Sequence, residues 1–175
     1  MTTTIDQSEE IPASYPVLDP VVSDSVWQRI EAYIAHRFTA RVVTWVVEGP
    51  GEWLPPLAPA TVSKVEIWTG AAWEDVTANA SPSPLGGYWL HGCGPYRFTA
   101  TVGGGSPAPE VPAIVAEAAQ RLSVHFAAKP GKPGATAESI TAGSISISHR
   151  RSESWMAAAM QNSGAADLLR SYRRI

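Results

Sequence analysis

The run EVPAIVAEAAQRLSVHFAA, Glu110 to Ala128, constrains this chain most, because breakers bound it on both sides and its apolar residues recur at helical spacing. At about 100° per residue, Val111, Ile114, Val115, Ala118, Leu122, His125 and Phe126 share one arc, while Glu117, Gln120 and Arg121 fall opposite. Pro112 stands in the first turn, where a missing N–H costs no intrahelical bond, and Glu110 places negative charge at the positive end of the dipole. Lys129-Pro130-Gly131 ends the run. One face of this helix must be buried by the rest of the chain.

A second helix supplies a partner. Ser23 or Asp24 can cap it, and Val26, Trp27, Ile30, Tyr33, Ile34 and Phe38 share a face through about residue 39. Between the two helices the period changes to that of strands. RVVTWVVE (41–48) reads as a strand covered on both faces, and Thr61 to Trp68 turns at Gly70 into Trp73 to Thr77 as a hairpin. Tyr88 to His91 and Tyr96 to Val102 read as a second pair across Gly92-Cys93-Gly94-Pro95. The expected fold is α+β: two packed helices with an inserted small antiparallel β-sheet, plus a C-terminal strand/helix arm. Residues 1–20 read as an extended or disordered arm, 21–128 as the helix–sheet–helix core, and 129–175 as a tethered C-terminal arm.

That arm opens on KPGKPGATAES (129–139), continues through ITAGSISIS (140–148) as one strand, and carries Trp155, Met156, Ala159 and Met160 on a short helix interrupted at Ser163-Gly164. Its end, AADLLRSYRRI, sets Leu168, Leu169, Tyr172 and Ile175 at helical spacing among Arg170, Arg173 and Arg174. From His149 onward five arginines face Glu153 and Asp167, a balance of +3 in a chain of net charge −3, so the first 148 residues carry −6. An acidic body argues against a protein that grips nucleic acid by counterion release, and a basic amphipathic end argues for a partner surface. Leu169 and Tyr172 are both expected to face outward, so that truncating them spares the fold.

The 15 prolines and 14 glycines cluster between the patterned segments and predict long connections. One cysteine, Cys93, rules out an internal disulfide. No apolar run approaches ~20 residues and no signal-peptide pattern opens the chain, so a protein made in the cytoplasm, with no membrane partner, is expected.

Catalytic constellations are not evident. His36, His91, His125 and His149 lie on separate elements, and His91 with Cys93 is a lone pair without a second metal-ligating cluster. His125 reads as a hydrogen-bonded core residue, and Gly103-Gly104-Gly105 as a hinge, since no phosphate-loop pattern surrounds it. No enzyme, cofactor or metal is expected. Trp45, Trp53, Trp68, Trp73 and Trp89 concentrate in the strand region, where they suit either core filling or a sugar-stacking face.

Taken in order, the capped first helix, the tryptophan-bearing strand, LPPLAPATVSKVEIW (54–68), GPYRFTATVGGG (94–105), VPAIVAEAAQRLSVHF (111–126) and the ending SGAADLLRSYRRI resemble the head–tail connector (adaptor) proteins of tailed bacteriophages, especially the branch shared with gene transfer agents. The resemblance implies a structural protein forming a dodecameric ring in the virion neck. There it would join the portal protein to stopper or tail proteins and let genomic DNA pass without sequence-specific binding, after assembly in the host bacterial cytoplasm. It further implies that the C-terminal segment engages the portal through Leu168, Leu169, Tyr172, Arg173, Arg174 and Ile175, with Trp155 and Met160 as neighbouring anchors. A tail-completion or stopper protein, and a tryptophan-rich carbohydrate-binding module, are the alternatives.

Overall fold

The computed structural model describes residues 1–104, 110–128, 137–142, 145–150 and 157–174, with 137–142 and 145–150 described by their backbone alone. The chain divides into two compact units, a sheet unit of Met1–Pro16, Ala35–Glu110 and Arg174, and a helical unit of Val17–Ile34 and Val111–Arg173.

The sheet unit holds eight strands: β1 (Thr3–Glu9), β2 (Arg41–Glu48), β3 (Gly51–Trp53), β4 (Ala60–Trp68), β5 (Trp73–Asp75), β6 (Ser81–Pro82), β7 (Tyr88–Leu90) and β8 (Tyr96–Val102). They form a five-stranded sheet in the order β1-β2-β8-β4-β5 and a three-stranded sheet in the order β3-β7-β6, with every pairing antiparallel. Strand β8 is central because Tyr96, Phe98, Ala100 and Val102 are all buried, which suits a strand with neighbours on both sides. The expected hairpin between β7 and β8 does not form. β7 buries Leu90 but leaves Trp89 half exposed, and it pairs with β3 and β6 instead. The β4–β5 hairpin does form, Trp68 opposite Trp73, across a turn in which Thr69 N–H donates to Ala72 O (3.0 Å).

Strand β2 was expected to be covered on both faces, but it alternates. Arg41, Val43, Trp45 and Val47 are buried, whereas Val42 is 39% exposed. The core it faces is aromatic: Trp53 stacks on Phe98 (centroids 4.2 Å), Trp45 meets Trp53 edge-on (5.5 Å) and Tyr88 tilts on Phe98 (5.2 Å). Each such pair adds roughly 0.5–1.5 kcal/mol beyond the area it buries.

The N-terminus departs from expectation, because residues 3–9 are the edge strand of the large sheet rather than a free arm. A bulge between Thr4 and Asp6 turns Ile5 outward, where it is 53% exposed. Gly103 and Gly104, expected as a hinge, are instead fixed in a close approach. Gly103 has φ +69°, its N–H donates to Pro59 O (3.0 Å), and an added Cβ would lie 2.4 Å from Thr39 O. Gly104 has φ +68° and its N–H donates to Phe38 O (3.2 Å).

The helical unit contains α1 (Asp24–Ile34), α2 (Ala113–Ala127), α3 (Ala159–Asn162) and α4 (Ala165–Leu168), with a hairpin of β9 (Ala137–Ala142) and β10 (Ile145–Arg150). Helix α1 buries Val26, Trp27, Ile30 and Ile34, and stops short of residue 39 because Ala35 adopts φ +54°. Helix α2 packs on α1, α3 and α4. Its buried stripe is Val115, Ala118, Ala119 and Leu122, narrower than the predicted arc: Ile114 is 37% exposed, and His125 and Phe126 are half-buried. Alanine at 118 and 119 allows neighbouring backbones to come close, which selects this stripe over the bulkier one. The expected single strand at 140–148 is a hairpin, Ile147 opposite Ile140. The fold is therefore α+β with antiparallel sheets, but the described residues hold four helices, and more strands than the small sheet expected.

Replacing Gly103 with alanine forces both a left-handed backbone and a clash with a backbone carbonyl. Urea unfolding of Gly103→Ala should show a loss of about 2 kcal/mol or more, and an unchanged midpoint would refute this account of the turn.

Candidate functional site

The predicted docking residues divide by burial. Met160 is 5% exposed and Leu169 is 0%, both inside the core of the helical unit, where α3 and α4 lie on α2. Leu168 is half-buried, Tyr172 is 40% exposed, and Arg173 and Arg174 are exposed. Trp155 and Ile175 lie outside the described residues.

The local chain explains the division. Ser163 Oγ donates to Met160 O (3.3 Å) and accepts from Ala165 N–H (3.3 Å), and Gly164 takes φ +75°, so the chain reverses tightly between α3 and α4. The reversal returns Leu169 to the core. A 3₁₀ turn at Arg170–Tyr172, closed by Tyr172 N–H to Leu169 O (3.0 Å), then carries the following side chains outward. The Arg173 guanidinium covers the Tyr33 ring at 5.3 Å and so has a fixed position rather than a free one. In the sheet unit, His36 is held below the usual imidazole range by burial first, then by the charges of Arg174 and Arg37. What the helical unit presents at its C-terminal turn is a short cationic surface with one aromatic ring, Arg170, Tyr172 and Arg173; the exposed Arg174 belongs to the sheet unit.

A second surface was not singled out from the sequence. On the outer face of the five-stranded sheet, Glu66 accepts from Arg97 Nε (2.7 Å) and Lys64 Nζ (2.7 Å), Arg97 lies 4.5 Å over the Trp73 ring, and Trp73 meets Trp68 at 5.5 Å. The Arg97 hydrogen bond, reinforced by that from Lys64, lowers the Glu66 carboxyl to about 2 against the opposing effect of burial. The alternation of Lys64, Glu66 and Trp68 along β4 was the available signal. It could not name Arg97, which is 31 residues away in sequence and joins through the β4–β8 register.

The tryptophans do not form one platform. Trp45 and Trp53 are core, while Trp68 is 38% and Trp89 51% exposed. Beneath β7 lies an apolar cavity of about 160 Å³ lined by Val65, Ile67, Tyr88, Leu90, Tyr96 and Phe98. Ser81 Oγ and His91 Nε2 stand 3.1 Å apart on exposed side chains that also line it. Among the described residues no carboxylate is bonded to His91, and no three histidine, cysteine, aspartate or glutamate side chains gather as metal ligands would. Among them, too, no helix is long and apolar enough to cross a membrane.

The fold is similar to that of a virion chain. A chain in the solved structure of the virion of a native gene transfer agent particle matches this protein with a TM-score of 0.54, covering 86% of this chain and 74% of its own, at 14% sequence identity. That likeness is one of fold. No protein-family model and no curated protein sequence matches the chain.

Two measurements check the geometry. Leu169→Ala should cost about 2–5 kcal/mol in urea unfolding, whereas Tyr172→Ala should change stability by no more than about 0.5 kcal/mol; equal effects would mean that the reversal at Gly164 is wrongly described. Glu66 has its folded pKa below its ordinary value of 4.5, so its contribution is full above that value and is lost as pH falls toward about 2. The melting temperature of the wild type should therefore fall more steeply between those limits than that of Glu66→Gln, and parallel curves would count against the ion pair.

Proposed function

We propose that this protein is a head–tail adaptor of a tailed phage or phage-like particle, a subunit of a dodecameric ring joining the portal to the tail. The observation that carries the reading is the fold likeness to a gene transfer agent virion chain over 86% of this chain. The order of sequence segments that resembles the adaptor proteins supports it from a different direction.

Within that reading, the C-terminal surface docks on the portal. Met160 and Leu169 serve by building the platform, since their side chains are already buried, and the contact falls to Tyr172, Arg173 and Arg174. Charged edges around an aromatic anchor suit a groove on an acidic partner. Each contact is small, and a closed ring multiplies it by avidity. The chain's net charge of −3 leaves a channel that DNA can slide through without sequence-specific binding. No catalytic step, cofactor or metal belongs to this proposal.

Deletion of the tail is a poor test, because stopping at Asn162 would strip Ala165 and Leu169 from the core. Charge reversal is cleaner. Purified protein mixed with portal rings should add a ring-shaped layer in electron micrographs, and Arg173→Glu with Arg174→Glu should abolish the layer while leaving circular dichroism unchanged. Capping of tail tubes in place of portals would make it a stopper or completion protein. Binding to neither would overturn the adaptor reading.

A further inference from the structure

The edge strand β1 is held by an unusual set of contacts. No residue of Thr3–Glu9 is buried, and its only large apolar side chain, Ile5, points outward. What β1 supplies to the sheet unit is acceptors. Thr4 Oγ1 accepts from Trp53 Nε1 (3.0 Å), Gln7 Oε1 accepts from Trp45 Nε1 (2.9 Å), and Glu9 accepts from Arg37 Nε (2.5 Å), Arg37 Nη2 (2.8 Å) and Arg41 Nη1 (3.1 Å). The four donor residues are all buried. The bulge between Thr4 and Asp6 has a role here, since it adds the residue that lets Thr4 share a face with Gln7 and Glu9. Burial alone would raise the Glu9 carboxyl, but the Arg37 hydrogen bonds and charge, with those of Arg41, outweigh it and hold it below the ordinary range.

Such a strand is an address rather than a wedge of core. Without the strand, two indole N–H groups and the Arg37 and Arg41 guanidinium groups would lose these acceptors, although Arg41 would keep those on Thr39, so an occupied site is favoured. Detached, the strand is polar and stays soluble. Its connection to α1 is equally suggestive. The segment that belongs to the sheet unit ends at Pro16, and Val17 and Val21 in the following connection are 87% and 79% exposed. The connection is anchored to the helical unit at Val22, which is buried, and at Asp19, whose carbonyl accepts from Gln120 Nε2 (3.0 Å), so the exposed valines lie on the tether that an exchanged strand would use.

We propose that residues 1–16 are exchanged between copies of this chain, β1 of one subunit occupying the β2 edge of the next. The occupant is a second copy because only this sequence carries Thr4, Gln7 and Glu9 in the bulged register that the site reads. Exchange in one direction around a closed ring fills every site and adds a strand-to-strand link at each interface. The inference rests on the ring of the proposed function but not on what that ring is attached to.

Single-cysteine chains decide it. In a Cys93→Ser background, Ser8→Cys is placed in one preparation and Thr44→Cys in another, positions directly opposite each other in the β1–β2 register. Mixed, allowed to assemble without any portal and then oxidised, they should give a disulfide-linked heterodimer far more abundant than the off-register mixture of Asp6→Cys with Thr44→Cys. Adding Glu9→Ala to the donor chain should abolish the excess. A chain carrying both Ser8→Cys and Thr44→Cys reports the alternative. If it closes on itself while the mixture gives no excess of heterodimer, the strand stays with its own subunit and the proposal fails. If neither forms, β1 does not lie on β2, and the proposal fails with it.

Discussion

The sheet unit depends on how two buried tryptophans satisfy their polar ends. Trp45 and Trp53 meet edge to face, and Trp53 stacks on Phe98, so the core beneath the five-stranded sheet is built around aromatic rings. Large rings fill that space at small entropic cost, but each indole also carries an N–H that burial would strand. Thr4 and Gln7 on β1 remove the conflict. The N-terminal strand is therefore required by the chemistry of a core that lies far from it in sequence, and the bulge that looks like an irregularity is what brings the two acceptors to one side. Glu9, set between Arg37 and Arg41, fixes the same strand at its other end.

The helical unit solves a different problem. Its central helix offers a stripe of small residues, Ala118 and Ala119, between Val115 and Leu122, and that stripe admits α1 together with the short helices α3 and α4. The last residues of the chain thereby become part of a core. Gly164 and Ser163 make this possible by reversing the chain within a few residues, and the cost is that Met160 and Leu169 are spent on folding. The surface left over is small and cationic. Its arginines are placed by neighbours, Arg173 on the Tyr33 ring being the clearest case, so the charge is presented in a defined position rather than on a waving arm.

A common thread joins the two units. In both, an end of the chain that composition makes look like an appendage is bound into a folded unit by specific contacts, polar at the N-terminus and apolar at the C-terminus. In the ring proposed above, ends that fold against defined surfaces would join neighbours without long disordered connections. The sheet's outer patch of Lys64, Glu66, Arg97 and Trp73 shows the same economy, as one carboxylate fixes two cations and one of these covers a ring.

Periodicity alone determined both long helices, most strands of the inserted sheet and the β4–β5 hairpin, because in each of them the apolar spacing and the turn residues are local. It also placed a basic, partly apolar end at the C-terminus. Tertiary structure decided the rest. Residues 1–9 carry almost no apolar signal, and only the buried indoles and arginines elsewhere make them a strand. Leu169 and Tyr172 look alike at helical spacing, and only the reversal at Gly164 sends one inward and the other out. Strand β8 left its neighbour in sequence for β2 and β4 because a strand with four buried side chains gains more at the centre of a sheet than in a hairpin. Local spacing sets which way a side chain can point; the demand for partners by groups already buried sets which of those directions is taken.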